Sequence, residues 1–311
     1  MAVLIDIRDP LWMDEADLRD FLQKKLPDVT FHIGFSGQVM EDVTVLVAVK
    51  LFPDVVQNLP NLQFIQKLGA GVDTILKDTE LPEHVRLARI RSDTPAREIA
   101  EFCLAYVLQT QRNILEHAAD QKNAVWQPRA PRESLSTTVA VLGLGHIGKR
   151  TAQTFARLDY KVIGWSQSDK DIDGVQSYSG LAALTQVLGQ ADHVISILPS
   201  TESTRSLFRA ERFSQFKAGA TFINVGRGDL IDDADLIDAL NEGPLGLAVL
   251  DVFHKEPLPT DHPFWRHPNI IITPHVSGWH LTDGLDDVAI NIGHYLSGGR
   301  IVNEVDRALG Y

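Results

Sequence analysis

Short apolar runs alternate with amphipathic, helix-length segments along the first third of the chain. The runs Ala2 to Ile7, Val43 to Val49 and Phe64 to Leu68 have the length and β-branched content of strands, and Met13 to Leu26 has a helical pattern. Strands that alternate with helices are typical of βαβ units, in which the strands are parallel. The pattern therefore predicts a parallel sheet with helices packed on it.

A second series of the same kind begins at Thr137. Because 311 residues exceed the roughly 100 to 200 of a usual domain, the two series predict two α/β domains, each with a doubly wound parallel sheet. The predicted strands of the second series are Val139 to Leu144, Lys161 to Trp165, His193 to Leu198, Thr221 to Val225, Leu245 to Val252 and Ile270 to Thr273.

Three further segments lie outside these series. Ala96 to His117 follows Thr94-Pro95, a suitable N-cap and first turn, and is apolar on nearly every side, so it predicts one long buried helix. Trp126 to Ser136 contains two prolines, two arginines and little periodicity, which predicts a loop at the domain boundary. Near the C-terminus, one helical stripe must cover an apolar surface elsewhere: Leu281, Leu285, Val288 and Ile292.

Composition argues against several classes of function. A net charge of −12 disfavours a protein that holds nucleic acid through its overall field, because such binding needs a basic face. The single cysteine, Cys103, allows no internal disulfide and no Cys-rich zinc site, and a reducing, cytoplasmic setting fits it best. The first residues lack the pattern of a signal peptide, and no apolar run approaches the ~20 residues that cross a bilayer, so we expect a soluble protein without membrane contact.

A glycine motif gives the first sign of chemistry. Thr138 to Leu142 predicts a buried strand, and the G-x-G-x-x-G motif after it opens the predicted helix Lys149 to Leu158. In this context the first glycine allows a tight turn, the second lets a pyrophosphate approach the backbone, and the third brings the helix against the strand. We therefore expect a Rossmann-like dinucleotide site, rather than a purely structural turn, at Gly143, Gly145, His146, Ile147 and Gly148.

The choice between NAD and NADP depends on the end of the next strand. About 20 residues past the glycine motif, an NAD-binding protein usually places a carboxylate on the ribose 2′-hydroxyl. Ser166, Gln167 and Ser168 lie there instead, and Lys170 follows with a positive charge. The sequence therefore predicts NADP as the preferred cofactor and NAD as a second one, and the neutral Gln167 predicts a weaker preference than an arginine would give.

Four segments carry a resemblance to a known family: Leu68 to Asp73, Ile223 to Gly228, Leu250 to Pro259 and Thr273 to His275. In this order, and together with the glycine motif, they resemble the D-isomer-specific 2-hydroxyacid dehydrogenases. Trp165-Ser166 and the ending Val305 to Tyr311 further resemble the glyoxylate/hydroxypyruvate reductase A branch. The resemblance covers essentially the whole chain and implies two Rossmann-like or flavodoxin-like domains with an interdomain cleft that holds the substrate.

The resemblance also implies how the domains are composed. Together with the C-terminal apolar stripe, it predicts that a helix near Leu285 to Leu296 packs on the first domain. The substrate domain would then comprise residues 1–97 and 284–311, and the dinucleotide-binding domain residues 98–283. A homodimer is a further expectation.

The catalytic and substrate-binding residues are likewise implied by the resemblance. Arg227 would bind the substrate carboxylate through two parallel N–H bonds, and the backbone N–H groups of Ala70 and Gly71 would contact the same carboxylate. His275 would contact the substrate and protonate its carbonyl oxygen, and Glu256 would fix the tautomer of His275 and favour its protonated form. Taken singly, Arg227 could be a surface turn residue, Glu256 a solvated charge and His275 a hydrogen-bonded strand end.

The remaining cofactor contacts follow from the same resemblance. Asp251 would bond the nicotinamide carboxamide, and Pro199, Thr204 and Val225 would line the cofactor. Trp279 would either border the substrate pocket or serve packing. We expect no metal, because the neighbouring histidines follow no recognised ligand spacing: His254, His262, His267 and His280.

Two hypotheses about function follow, and they belong to different classes. The first is the NAD(P)H-dependent reduction of small 2-keto acids, such as glyoxylate and hydroxypyruvate, to 2-hydroxy acids. The second is a dinucleotide-sensing, corepressor-like binding protein, because the same family contains transcriptional corepressors. Consumption of NADPH in the presence of glyoxylate, followed by its absorbance, separates the two.

Overall fold

The computed structural model describes residues 1–8, 13–78, 81–281 and 283–307. The chain forms two compact units. The first unit is discontinuous: it contains Met1–Asp93 and the segment that begins at Leu281, and the second unit comprises Thr94–His280. These divisions lie a few residues from the expected boundaries after residue 97 and before residue 284. Of the C-terminal segment that contributed to the resemblance, residues 308–311 lie outside the described part of the chain.

Strands and helices alternate along both units. The strands are β1 (Ala2–Asp6), β2 (Thr30–Ile33), β3 (Val43–Ala48), β4 (Phe64–Lys67), β5 (Arg86–Arg89), β6 (Thr138–Leu142), β7 (Lys161–Ser166), β8 (Val175–Ser179), β9 (His193–Ser196), β10 (Ala220–Asn224), β11 (Leu245–Leu250) and β12 (Ile270–Ile272). The helices are α1 (Glu15–Lys25), α2 (Pro53–Gln57), α3 (Asp73–Asp78), α4 (Asp93–Gln111), α5 (Ile114–Lys122), α6 (His146–Ala156), α7 (Leu181–Gln190), α8 (Ala210–Phe213), α9 (Asp233–Asn241) and α10 (Leu285–Ser297), with 3₁₀ turns at Ser134–Ser136, Gly228–Leu230 and Pro263–Arg266.

The first unit is built on a parallel sheet with the strand order β2-β1-β3-β4-β5. The apolar stripe of α10 packs on one face of this sheet, where Val288 and Ile292 are fully buried in a cluster with Val3, Ile5 and Phe64. A separate apolar cluster covers the other face. The C-terminal helix therefore completes the core of the unit that begins at the N-terminus.

The second unit contains a parallel sheet with the order β12-β11-β10-β9-β6-β7-β8. The chain leaves β6 in one direction for β7 and β8, and then returns to β9 on the other side, as in a Rossmann fold. Apolar clusters lie on both faces of the sheet. The predicted α/β architecture with two doubly wound parallel sheets is therefore confirmed.

The prediction of one buried helix from Ala96 to His117 is wrong in its second half. Helix α4 ends at Gln111, Asn113 adopts a left-handed conformation with φ of +52°, and α5 starts at Ile114. Asparagine tolerates this conformation better than other residues with a side chain, so it allows the chain to break. No residue of α5 is buried, so its apolar side chains do not contribute to the core.

Three strands were missed by the sequence pattern: β2, β5 and β8. Each is an edge strand of its sheet, and in each one polar residues interrupt the apolar ones, so that no apolar run forms. Among the described residues, no helix has the length and apolar character needed to cross a membrane.

Candidate active site

Residues with expected roles lie at one edge of the sheet of the second unit. Because the strands are parallel, their carboxyl ends share that edge, and the strand order reverses there between β9 and β6. Doubly wound sheets bind their ligands outside the carboxyl ends of the strands at such a switch point. The candidates follow directly on β6, β7, β9, β10, β11 and β12.

The glycine motif forms a tight turn between β6 and α6. Gly143 has a φ of +99°, in the region that glycine adopts without strain. A Cβ atom added to Gly148 would lie 1.6 Å from the Gly143 carbonyl oxygen, so only glycine lets the helix approach the turn this closely. Gly145 is the N-cap of α6, and His146 and Ile147 form its first turn. The N-terminus of α6 is thus open to a pyrophosphate, and these residues fit a dinucleotide.

The residues at the expected 2′ position have different environments. Ser166 is buried at the end of β7, and its hydroxyl donates to the Ser168 carbonyl oxygen at 2.7 Å. Gln167, Ser168 and Lys170 are exposed. Ser166 therefore closes the local turn, whereas the other three side chains face the solvent beyond the strand.

Thr204 organises the loop that follows β9. Its hydroxyl donates to the Pro199 carbonyl oxygen at 2.6 Å, and the Thr201 N–H donates to the same hydroxyl at 2.8 Å. Pro199 is exposed, and Val225, directly after β10, is buried. Pro199 is thus exposed beyond β9 and held by Thr204, whereas Val225 belongs to an apolar core cluster of the second unit.

Arg227 lies in a turn that is held close to a neighbouring loop. A Cβ atom on the next residue, Gly228, would lie 2.0 Å from the Phe253 carbonyl carbon, so the close approach of the two loops requires glycine. The Asn224 side chain donates to the Arg227 carbonyl oxygen at 2.8 Å and accepts from the Gly226 N–H at 3.2 Å. One arm of the guanidinium donates to the Gly226 carbonyl oxygen at 2.7 Å. The side chain is half-buried.

His275 and Glu256 form a direct pair. The Nδ1 atom of His275 lies 2.8 Å from Oε2 of Glu256, and the backbone N–H of Phe253 donates to Oε1 at 2.9 Å. His275 has a φ of +55°, a left-handed conformation that is strained for a residue with a Cβ atom. Because Glu256 occupies Nδ1, the second ring nitrogen, Nε2, is the one that can exchange a proton with a ligand.

The ionisation of Glu256 reflects opposing effects. Burial raises its pKa, but the hydrogen bond and charge of His275 lower it. The Phe253 N–H and the positive charge of Arg227 act in the same direction as His275, and the net pKa is lower than that of an ordinary glutamate. Glu256 is therefore a carboxylate at neutral pH, and Arg227 lies close enough to contribute to its charge state.

Asp251 is fully buried and holds the loop that carries His275. Its Oδ1 accepts from the Thr273 hydroxyl at 2.6 Å and from the Val276 N–H at 2.9 Å, and its Oδ2 accepts from the Ser277 N–H at 2.9 Å. These bonds direct the carboxylate into the loop 273–277 and give Asp251 a positioning role that its sequence motif did not indicate. The expected bond between Asp251 and a nicotinamide carboxamide stays a prediction.

The loop with Ala70 and Gly71 belongs to the first unit, where it follows β4 at the carboxyl edge of that sheet. The Ala70 carbonyl oxygen accepts a hydrogen bond from Nη1 of Arg89 at 3.1 Å. Gly69 has a φ of +124°, so glycine is required where the chain leaves the strand.

A second histidine–carboxylate pair was not predicted. Nδ1 of His280 contacts Oε1 of Glu98 in α4, and the backbone N–H groups of Trp279 and His280 donate to Oε2 at 2.7 and 3.0 Å. The partners lie 182 residues apart, so no local pattern in the sequence indicates the contact. Trp279 is 45% exposed, and thus does not serve as a core residue.

Comparisons with known proteins show which family this chain resembles. Residues 104–277 match the family described as D-isomer specific 2-hydroxyacid dehydrogenase, NAD binding domain. Glyoxylate/hydroxypyruvate reductase A of Serratia proteamaculans is 37% identical over 264 residues, which cover 83% of this chain and 84% of that protein. The protein of the same name from Photorhabdus laumondii is 33% identical over 306 residues, covering 96% and 97% of the two chains.

Two solved structures are similar along nearly the full length. A D-isomer specific 2-hydroxyacid dehydrogenase from Xanthobacter autotrophicus, in complex with NADPH and MES, has a TM-score of 0.92 at 33% identity and covers 100% of this chain and 99% of its own. The NADPH-dependent glyoxylate/hydroxypyruvate reductase from Sinorhizobium meliloti, in complex with NADP and sulfate, has a TM-score of 0.91 at 30% identity with the same coverage. This chain belongs to the D-isomer-specific 2-hydroxyacid dehydrogenase family.

Proposed function

We propose that the protein is an NADPH-dependent reductase of small 2-keto acids such as glyoxylate and hydroxypyruvate. The observation that carries the proposal is the pair formed by His275 and Glu256, with the positive charge of Arg227 acting on the same carboxylate. A proton donor beside a guanidinium is what the reduction of a carbonyl next to a carboxylate requires. The names of the similar reductases support the choice of substrate and cofactor.

Different residues of the chain bind the substrate carboxylate and donate the proton. The guanidinium of Arg227 binds the substrate carboxylate and polarises the carbonyl, and the N–H groups of Ala70 and Gly71 bind the same carboxylate. The nicotinamide, when bound, supplies the hydride. His275 donates the proton from Nε2 to the carbonyl oxygen, and the ionised Glu256 stabilises the protonated ring from the side of Nδ1.

The units take different roles in this proposal. The second unit is the dinucleotide-binding domain, which the family match to residues 104–277 supports. The first unit is the substrate domain. We also propose a cytoplasmic location, because the only cysteine is a buried free thiol and the chain therefore forms no internal disulfide that would need an oxidising compartment.

The preference for NADPH is tested by two substitutions near the end of β7, one that adds a negative charge and one that removes a positive charge. Ser166→Asp restores an acceptor for a ribose hydroxyl and repels a 2′-phosphate, so it should shift the ratio of kcat/KM values towards NADH. Lys170→Ala should weaken NADPH alone. A parent enzyme that favours NADH would contradict the proposal, as would a ratio that neither substitution changes.

The activity itself is tested with NADPH and a panel of 2-keto acids. Turnover of glyoxylate or hydroxypyruvate, lost in His275→Ala, is the expected result. Tight binding of NADPH without turnover of any keto acid would instead favour the dinucleotide-sensing, corepressor-like alternative.

We further propose a homodimer formed through the region from α4 to the 3₁₀ turn at 134–136. Of the fifteen large apolar side chains exposed among the described residues, six lie in this region: Leu108, Ile114, Leu115, Val125, Trp126 and Leu135. Such a concentration is typical of a protein interface. Light scattering should give twice the mass of 34.5 kDa for the parent and a monomer for Leu115→Asp with Trp126→Asp, whereas Leu181→Asp, at an exposed position of α7, should remain a dimer.

A further inference from the structure

The loop after β4 has its carbonyl groups bound by donors of its own unit. The Leu68 carbonyl oxygen accepts from Nζ of Lys67 at 2.9 Å, and the Gly69 carbonyl oxygen accepts from the Ile90 N–H at 3.1 Å. The Ala70 carbonyl oxygen accepts from Nη1 of Arg89 at 3.1 Å. Three successive peptide groups are therefore fixed in orientation.

The orientation of these carbonyls determines where the amides of the loop point. In a trans peptide the C=O of one residue and the N–H of the next point in opposite directions. The N–H groups of Gly69, Ala70 and Gly71 are consequently directed away from the donors that bind the carbonyls. Within the described residues, none of these three N–H groups donates to an acceptor of the chain. Successive free N–H groups of this kind form a concave site for an anion.

Two of the three donors are cationic side chains on adjacent strands. Lys67 and Arg89 are the last residues of β4 and β5, and they are register partners in the parallel sheet, so their side chains leave the same face. Lys67 is only 6% exposed, although a lysine is almost never buried without a specific partner. A methionine would fill the same volume without the cost of removing an ammonium group from water. Packing alone therefore does not account for a lysine at this position.

We propose that Lys67 and Arg89 are positioning residues for the substrate carboxylate. They hold the carbonyls of Leu68 and Ala70, and thereby aim the N–H groups of Gly69 and Gly71 at the carboxylate of the 2-keto acid. This inference rests on the proposed function, because it takes the loop 69–71 to be a binding site for that carboxylate. It extends the site to Gly69 and gives a function to two cations that do not themselves contact the substrate.

The test replaces each cation by a side chain of similar length without charge. Lys67→Met and Arg89→Met should each raise KM for glyoxylate and hydroxypyruvate by on the order of tenfold, the scale of a lost hydrogen bond to a charged group. The value of kcat should change by less than about threefold, because carboxylate binding is used equally in the ground state and the transition state. The dissociation constant of NADPH, measured by its fluorescence, should stay the same.

Arg86→Met is the matched control. Arg86 lies on β5, like Arg89, but it is exposed and bonds the carboxylate of Glu304 at 2.6 and 2.8 Å. Replacing Arg86 should therefore leave KM unchanged. Arg89→Lys retains a donor for the Ala70 carbonyl and should recover part of the lost affinity. The inhibition constant of oxamate, which carries the same carboxylate, should rise in parallel with KM in the methionine variants.

The outcomes separate this inference from the proposed function. A parent protein that consumes no NADPH with any 2-keto acid would remove the proposed function and the inference with it. Parent activity combined with an unchanged KM and oxamate inhibition in both methionine variants would overturn the inference alone. A lower melting temperature with unchanged KM would assign the two cations to stability, and would also overturn it.

Discussion

Two histidines in the second unit contact a carboxylate through the same ring nitrogen, Nδ1. His275 pairs with Glu256 and His280 with Glu98, and the histidine side chains are 50% and 63% exposed. In both pairs Nε2 is left for other partners. Judged by the contact alone, either pair has the form of an acid–base group.

The surroundings of the two pairs differ. Glu98 accepts the N–H groups of two consecutive residues with one oxygen, so it fixes the path of the chain at 279–280. Glu256 accepts one N–H group, lies within the electrostatic influence of Arg227, and serves a histidine in a strained left-handed conformation. A histidine–carboxylate contact is therefore weak evidence of catalysis until a second charged group and a constrained histidine accompany it.

The largest difference between the pairs should appear on removal of the ring. His275→Ala should lower kcat by at least ~100-fold, because the reaction loses its general acid. His280→Ala should change kcat by less than about threefold, because its partner holds the loop through backbone N–H groups as well. Steady-state kinetics of both variants with NADPH and glyoxylate measure the contrast. Losses of similar size would show that the two pairs do not differ in function.

Removal of the charge beside the first pair should have the next largest effect. Arg227→Ala should lower kcat/KM for 2-keto acids on the order of 50-fold, because the carboxylate loses charged hydrogen bonds. Arg266→Ala, a change at an exposed arginine of the same unit, is the control and should have no effect. If the fold loss of kcat/KM in Arg227→Ala were the same for an uncharged ketone as for a keto acid, Arg227 would not be the residue that binds the carboxylate.

Neutralising each carboxylate tests whether only the first pair sets the pH dependence. The hydrogen bond and charge of His275 lower the pKa of Glu256, so the two groups stabilise each other's charged forms, and in Glu256→Gln the loss of activity at high pH should begin at a lower pH. Glu98→Gln should leave this basic limb where it is. The measurement is kcat/KM for glyoxylate reduction from pH 5 to pH 10, and an unmoved limb in Glu256→Gln would separate Glu256 from the acid.

The sequence predicted the first pair because its residues lie in motifs with a fixed order. His275 and Glu256 each follow a strand of one sheet, and parallel strands bring their carboxyl ends together. Glu98 and His280 carry no such signal: the histidine lies in no recognised motif, and its partner is one of several acidic residues on a helix. Their contact depends on how α4 packs near the loop, which local patterns do not encode.

The same distinction applies to the fold. Apolar runs identified most strands, but polar residues interrupt the short sequences of β2, β5 and β8, so these three strands lack the apolar run on which the prediction relied. The apolar pattern of Ala96 to His117 continues through the break at Asn113. It therefore did not reveal that the helix ends there, nor that the apolar residues of α5 are exposed. Asp251 was linked to the cofactor by its motif, whereas its contacts with loop 273–277 required the three-dimensional structure.

The smallest expected effect concerns the structural role of the second pair. Burial raises the pKa of Glu98, but the hydrogen bond from His280 and the N–H groups of His280 and Trp279 lower it, and the net pKa is below that of an ordinary glutamate. A carboxyl group whose pKa is lower in the folded state contributes stability above its unfolded pKa, and this contribution is lost as the pH falls through the folded pKa.

Glu98→Gln should therefore destabilise the second unit at pH 7 by about 1 kcal/mol, the scale of one hydrogen bond, which corresponds to a melting temperature roughly 3 °C lower. At acidic pH, once the pH has fallen through the folded pKa of Glu98 and the parent carboxyl is protonated as well, the two melting curves should converge. Glu101→Gln, at an exposed position one turn further along α4, is the control and should follow the parent at every pH, because its contact with Arg97 at 3.9 Å is a weak surface pair. A difference between Glu98→Gln and the parent that does not shrink as the pH is lowered would show that the charge of Glu98 does not hold the loop, and the contrast between the two pairs would then have to rest on catalysis alone.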